Sequence, residues 1–281
     1  SILQWDSWSS PFSLHLKNSH LLHNGKKVLT WPELVITANL SGVLFGEVQA
    51  EQVLLANPKL SLLRDSSGDF YIKGEDDERI ALNALLNAGG GGQKTRLPIR
   101  SIMIYGADIE YEDQLNNLML TSDRSSVEWR RKGDQQTLKA ELPVMMGMQH
   151  FDVSLEMVRN PEKDQSVFTV GLKQINPSSM CQLVNVCAGL PDVNMAMNGS
   201  VELVASADFA IHDINVSLSG DNGQMTYTPD LPEVIALNTL SVEGKYDRKL
   251  EQATLTSFKA IIGDLKLSGD GSLKKSDQGY A

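Results

Sequence analysis

Apolar and polar residues alternate with a period of two along most of this chain, the pattern a β-strand produces because successive side chains leave opposite faces of the sheet. Phe12, Leu14 and Leu16 alternate with polar neighbours, and Leu34, Ile36, Ala38 and Leu40 repeat the spacing. Ala107, Ile109 and Tyr111 are interleaved with Asp108, Glu110 and Glu112, and Leu138, Ala140 and Leu142 with Lys139 and Glu141. Phe151, Val153, Leu155 and Met157 follow, then Phe168, Val170 and Leu172, then Ile214, Val216 and Leu218, and finally Leu265 and Leu267. Each run has one wet and one dry face, as antiparallel strands covered on one side do. Turn signals separate the runs: Asn24-Gly25, Ser66-Ser67-Gly68, Asn160-Pro161 and Asp221-Asn222-Gly223. Spacing this short leaves no room for the long crossovers that parallel pairing needs. The pattern therefore predicts a mainly β fold, an extended and curved antiparallel sheet shaped as a groove, taco-like, with two short helices.

Both helices are read from their punctuation. In residues 176–191, Asn176 is an N-cap, Pro177 opens the first turn, and Gly189 and Pro191 close the segment, while Met180, Leu183, Val184 and Cys187 share one apolar face. In residues 77–88, Ala81, Leu82, Leu85 and Ala88 share a face, and the glycine run 89–92 that follows reads as a flexible tether. Cys181 and Cys187 are the chain's two cysteines. They are either a disulfide in an oxidising compartment or two buried thiols in a reducing one. Six residues of regular helix rise about 9 Å, beyond the roughly 7 Å Cα separation a disulfide tolerates. A regular helix through both therefore predicts free thiols.

Composition narrows the function classes. The 281 residues are 41% hydrophobic and 21% charged, ordinary for a globular chain able to bury one large core or two modest ones. A net charge of −10 repels nucleic acid and anionic headgroups on average, so nucleic acid is not an expected partner. No run of about 20 apolar residues is present to span a bilayer as a helix, and no basic-then-apolar leader opens the chain. Ser1 and the abrupt entry into strand-like alternation read as a processing boundary.

Candidate chemistry adds little. His20 and His23 have a metal-like spacing but no further ligands, and an exposed turn explains them. The acidic run 75–78 lacks the alternate spacing of a calcium loop and reads as a solvated helix N-terminus. No GxSxG elbow and no phosphate loop is present; the glycine run follows a helix and lacks the Lys-Ser/Thr that completes such a motif. Glu110, Glu112 and Asp113 do not form the carboxylate pair of a glycan hydrolase. The chain is read as a non-enzyme without a cofactor or metal.

Residues 31–74, WPELVITANLSGVLFGEVQAEQVLLANPKLSLLRDSSGDFYIKG, resemble the N-terminal signature of AsmA-like proteins, with Asn57-Pro58, Leu60, Leu62, Arg64-Asp65, Gly68 and Phe70 at its marked positions. IRSIMIYGADIEYED, residues 99–113, is similar to the strand pair that recurs in that family. Residues 175–271 resemble the middle domain of the large YhdP-type members: a short helix, the strand NGSVELVAS, a glycine-tyrosine run over 220–246 and a closing strand pair over 265–271. The resemblance implies two regions, residues 1–92, ending in a helix and a Gly-rich tether, and residues 93–281, a β-groove region. It also implies a periplasmic protein held at the bacterial inner membrane by an N-terminal anchor, related to bridge-like lipid-transfer proteins.

A dry sheet face suits acyl chains, since burial contributes about 0.8 kcal/mol per methylene. The expected guest is phospholipid or another acyl-chain lipid, bound or conducted between envelope membranes. The expected groove lining is Phe12, Leu14, Leu16, Leu34, Ile36, Ile109, Tyr111, Phe151, Val153, Leu155, Phe168, Val170, Leu172, Val216 and Leu218. The same residues would equally serve a closed sandwich core. An alternative function is an envelope scaffold that recruits partner proteins through its sheet edges, without lipid transport.

Overall fold

The computed structural model describes residues 2–4, 12–23, 25–38, 50–74, 78–81, 99–160, 165–184, 192–206, 211–228, 231–276 and 279–280. Strands make up most of them, so the fold is mainly β. The chain divides into two compact units, residues 1–147 and 148–281. The boundary expected at residue 92 lies within 82–98, outside the described residues, as does the glycine run 89–92.

The first unit contains β1 (Ile2–Gln4), β2 (Phe12–His23), β3 (Lys26–Ala38), β4 (Ala50–Ala56), β5 (Lys59–Arg64), β6 (Phe70–Lys73), β7 (Arg79–Ala81), β8 (Ser101–Asp113), β9 (Leu118–Lys132) and β10 (Gln135–Met146). Strands β1 to β4 pair antiparallel in sequence order, and so do β8, β9 and β10. The two sets join where β4 and β5 lie parallel to β8. This corrects the expectation of a wholly antiparallel sheet. The chain from residue 65 to 100 is long enough to return alongside β5 in the parallel sense, a connection that the even hairpin spacing elsewhere disguises. Within it, β6 pairs with β5 and β7 with β6. Of the helix expected over residues 77–88, residues 78–81 are described and Arg79–Ala81 is strand, held by Ile80 opposite Ile72, with Ile80 buried; residues 82–88 lie outside the described residues. Pairing with β6 sets the conformation at Arg79–Ala81, where the expected helix was to begin.

Asn57 and Pro58 separate β4 from β5. Proline has no N–H to give the ladder, and Asn57 takes a left-handed φ of 49°. Opposite them Gly106 has a φ of 66°. Asn57 N donates to Tyr105 O at 2.8 Å and Asp108 N to Pro58 O at 3.0 Å, so the interruption is itself hydrogen-bonded. The apolar positions of β8 change parity there, from Ile102 and Ile104 to Ala107, Ile109 and Tyr111. An inserted residue does this when both halves of a strand keep their apolar side chains on one face.

The second unit is a meander. β11 (Gln149–Asn160), β12 (Gln165–Ile175), β14 (Met197–Ser206), β15 (Ile211–Thr228), β16 (Leu231–Asp247), β17 (Gln252–Ile262) and β18 (Leu265–Ser276) pair antiparallel in that order. β13 (Asp192–Asn194) pairs with β15 beyond the end of β14, and β19 (Gly279–Tyr280) pairs with the end of β18. Between β12 and β13 lies α1 (Pro177–Val184), capped as expected by Asn176, whose Oδ1 accepts from Ser178 N at 3.1 Å. The expectation of free thiols is corrected at Cys181, which is disulfide-bonded. The described helix is Pro177–Val184, and Cys187 lies outside the described residues. Near the helix-bearing end, Met195, Met197, Leu237 and Ala260 form a buried cluster against which Val193, Leu218, Met225 and Phe258 pack. Gly220 and Gly223 leave the room that the Met195 side chain fills, since a Cβ at either would collide with it.

Candidate functional site

Strand register decides which side chains share a face, because residues directly opposite on neighbouring strands point to the same side. In the first unit one line across the sheet reads Leu16, Leu34, Leu55, Ile104, Val127, Ala140. The next reads Leu14, Ile36, Val53, Ile102, Trp129, Leu138. Both are apolar at every position over six strands. Phe12 continues the face opposite Ala38. Ile109 and Tyr111 lie past the Gly106 kink, opposite Leu60 and Leu62 of β5.

The strands of the second unit show a similar arrangement. Leu155, Val170, Val201, Val216 and Gly244 form one line. Beside it run Val153, Leu172, Gly199, Leu218, Val242 and Phe258. On the other side run Met157, Phe168, Leu203, Ile214 and Tyr246. The alternate residues Glu156, Thr169, Glu202, Asn215 and Lys245 form the hydrophilic opposite face.

Of the fifteen residues expected to line a groove, fourteen are half-buried. Phe151 alone is fully buried, at 8% exposure. Their faces are neither stripped to solvent nor sealed. Two of them have further structural tasks: Leu218 packs on the methionine cluster, and the Tyr111 hydroxyl donates to Asp113 Oδ2 at 3.3 Å. Sequence reasoning missed the middle members of the lines. Val53 and Leu55 sit in the unbroken run VLLA, and Ile102 and Ile104 alternate with Met103 and Tyr105, so the period-two signal is blurred where both faces are apolar.

Asp113 closes the end of β8. It is 4% exposed and accepts from Arg64 Nη1 at 3.3 Å, Asn116 N at 3.0 Å and Asn116 Nδ2 at 2.8 Å. Burial opposes its charge, but the Asn116 hydrogen bonds and the Arg64 guanidinium outweigh that and hold its carboxyl below the ordinary value. Burial, then the nearby Asp113 charge, push the Tyr111 hydroxyl up. The facing turn is built similarly: Asp65 Oδ1 accepts from Ser67 Oγ, Ser67 N and Asp69 N, and the hydrogen bond from Ser67 is the main cause that lowers its carboxyl.

A hollow of about 690 Å³ opens on the hydrophilic face of the second unit, lined by Asp213, Asn215, Lys245, Asp247, Thr254 and Asp270 among others. A second of about 410 Å³ adjoins it and shares Asn215, Lys245 and Thr256. Thr256 is the extra residue where β17 slips register against both β16 and β18, and such a bulge bends a sheet locally. Among the described residues no three His, Cys, Asp or Glu side chains are grouped to hold a metal. Comparison with protein-family models, curated proteins and solved structures finds no match.

Proposed function

We propose that the chain is a lipid-binding β module of an AsmA-like envelope protein, whose apolar sheet face holds phospholipid acyl chains in passage between membranes. The observation that carries the proposal is the register. It sets apolar residues opposite one another over six strands in each unit, most of them keeping part of their surface exposed. A guest of a dozen methylenes laid along such a line gains several kcal/mol at about 0.8 kcal/mol each, without a dedicated polar site. The headgroup stays in water, so the chain's net negative charge does not oppose binding of the tail. A groove closed around the tail, taco-like, is the shape this reading calls for. The Cys181 disulfide supports an oxidising compartment such as the periplasm, and the resemblance adds anchorage to the inner membrane in the parent protein.

Native mass spectrometry of protein purified from cells in a non-lipidic, cleavable detergent tests the proposal. The expected spectrum carries one or more phospholipid masses per chain. A lipid-free chain that also fails to take up phospholipid from vesicles contradicts it.

A further inference from the structure

We infer that β18 is a self-pairing edge, at which a second copy of this chain adds its own β18 antiparallel about a two-fold axis at Ser268. Among the described residues, β18 pairs with β17 along one side, while on the other side only Lys275 and Ser276 are paired, with β19. The edge from Leu265 to Lys274 thus presents a row of main-chain donors and acceptors, the template that strand addition uses. Leu265, Leu267 and Leu273 on one face of that edge are 55%, 42% and 50% exposed. No charge points to that side between Leu265 and Leu273, so the edge lacks the inward charge that commonly blunts one.

The occupant follows from charge and register. Within β18 the charged residues are Lys266, Asp270, Lys274 and Lys275. Symmetric antiparallel pairing sets Lys opposite Asp in two registers that keep the apolar faces aligned, one centred on Ser268 and one on Ser272. The Ser272 register requires the partner strand to lie against Lys275 and Ser276, where β19 already sits. A register centred on Asp270 meets β19 in the same way and opposes Lys266 to Lys274 and Asp270 to itself. Centring on Ser268 leaves β19 clear. It places Lys266 opposite Asp270 twice over and sets Leu265 and Leu267 opposite Gly271 and Gly269, where a bulky side chain fills the space a glycine leaves. A second copy therefore supplies the charge and bulk that this edge asks for, independently of whether the apolar face binds lipid.

Sedimentation of the 281-residue chain, combined with disulfide trapping, tests the inference. Ser268→Cys is expected to form a covalent dimer on mild oxidation, and Lys274→Cys is not. Lys266→Asp is expected to weaken association about tenfold through like-charge contacts, and Lys266→Asp with Asp270→Lys to restore it; circular dichroism verifies that each variant is folded. A chain that is monomeric at high micromolar concentration, trapping at 274 in place of 268, or a double variant as weak as the single one overturns it. Loss of lipid binding leaves this pairing unaffected, so the two readings fail separately.

Discussion

Gly106 and Asn57 illustrate how single residues hold the first sheet together. Gly106 has a positive φ, and a Cβ there would meet the Asn57 side chain amide. Gly106→Ala is therefore expected to destabilise the chain by about 1–3 kcal/mol, through backbone strain and the displaced Asn57; urea unfolding measures it. Asp113 makes a pH-dependent contribution. Its folded carboxyl titrates below the ordinary 3.8, so the stabilisation is present above that pH and is lost as the pH falls through the lower folded value. Asp113→Asn is expected to lower Tm at neutral pH, with the gap to the parent chain narrowing below pH 3.8. Asn57-Pro58 and the Asp65 turn are legible in the sequence because turn chemistry is local. Gly106 is not, because the residue that requires its bareness lies far away along the chain.

At the scale of elements, strands with a clean period of two were recognisable and the rest depended on pairing. Residues 79–81 look helical until Ile80 finds Ile72 across β6. The parallel contact of β4 and β5 with β8 leaves no local signature, since parallel and antiparallel strands show the same alternation when one face is dry. The Asn176 cap of α1 was readable, whereas the disulfide at Cys181 was not, because the spacing of two cysteines does not by itself decide between a bridge and free thiols. Cys181→Ser is expected to cost about 2–4 kcal/mol of stability, seen as a lower Tm that added reductant does not change. Leu237, at 2% exposure in the methionine cluster, marks the packed end of the second unit. Leu237→Ala is expected to cost about 2–5 kcal/mol, whereas Val170→Ala, on a half-buried position of the same sheet, is expected to cost less; guanidinium unfolding of both compares them.

For the whole molecule, the question is which face of these sheets meets a guest. The lines through Leu155 and Val170, and through Leu16 and Leu34, are apolar from strand to strand, while the hollows at the Thr256 bulge open on the hydrophilic side among Asp213, Asp247 and Asp270. Carboxylates there disfavour an anionic headgroup, so binding by the tail on the opposite face is the arrangement consistent with the charge. The dry face was readable from alternation, but its continuity was not, because register is a property of pairs of strands and of bulges such as Asn57 and Thr256. Photo-crosslinking in cells tests the face directly, with a benzophenone amino acid placed at Val170 on the apolar face or at Thr169 on the hydrophilic one. Phospholipid adducts from position 170 and none from 169 are the predicted result; no adduct from 170, or equal adducts from both, contradicts the assignment of the apolar face as the lipid surface.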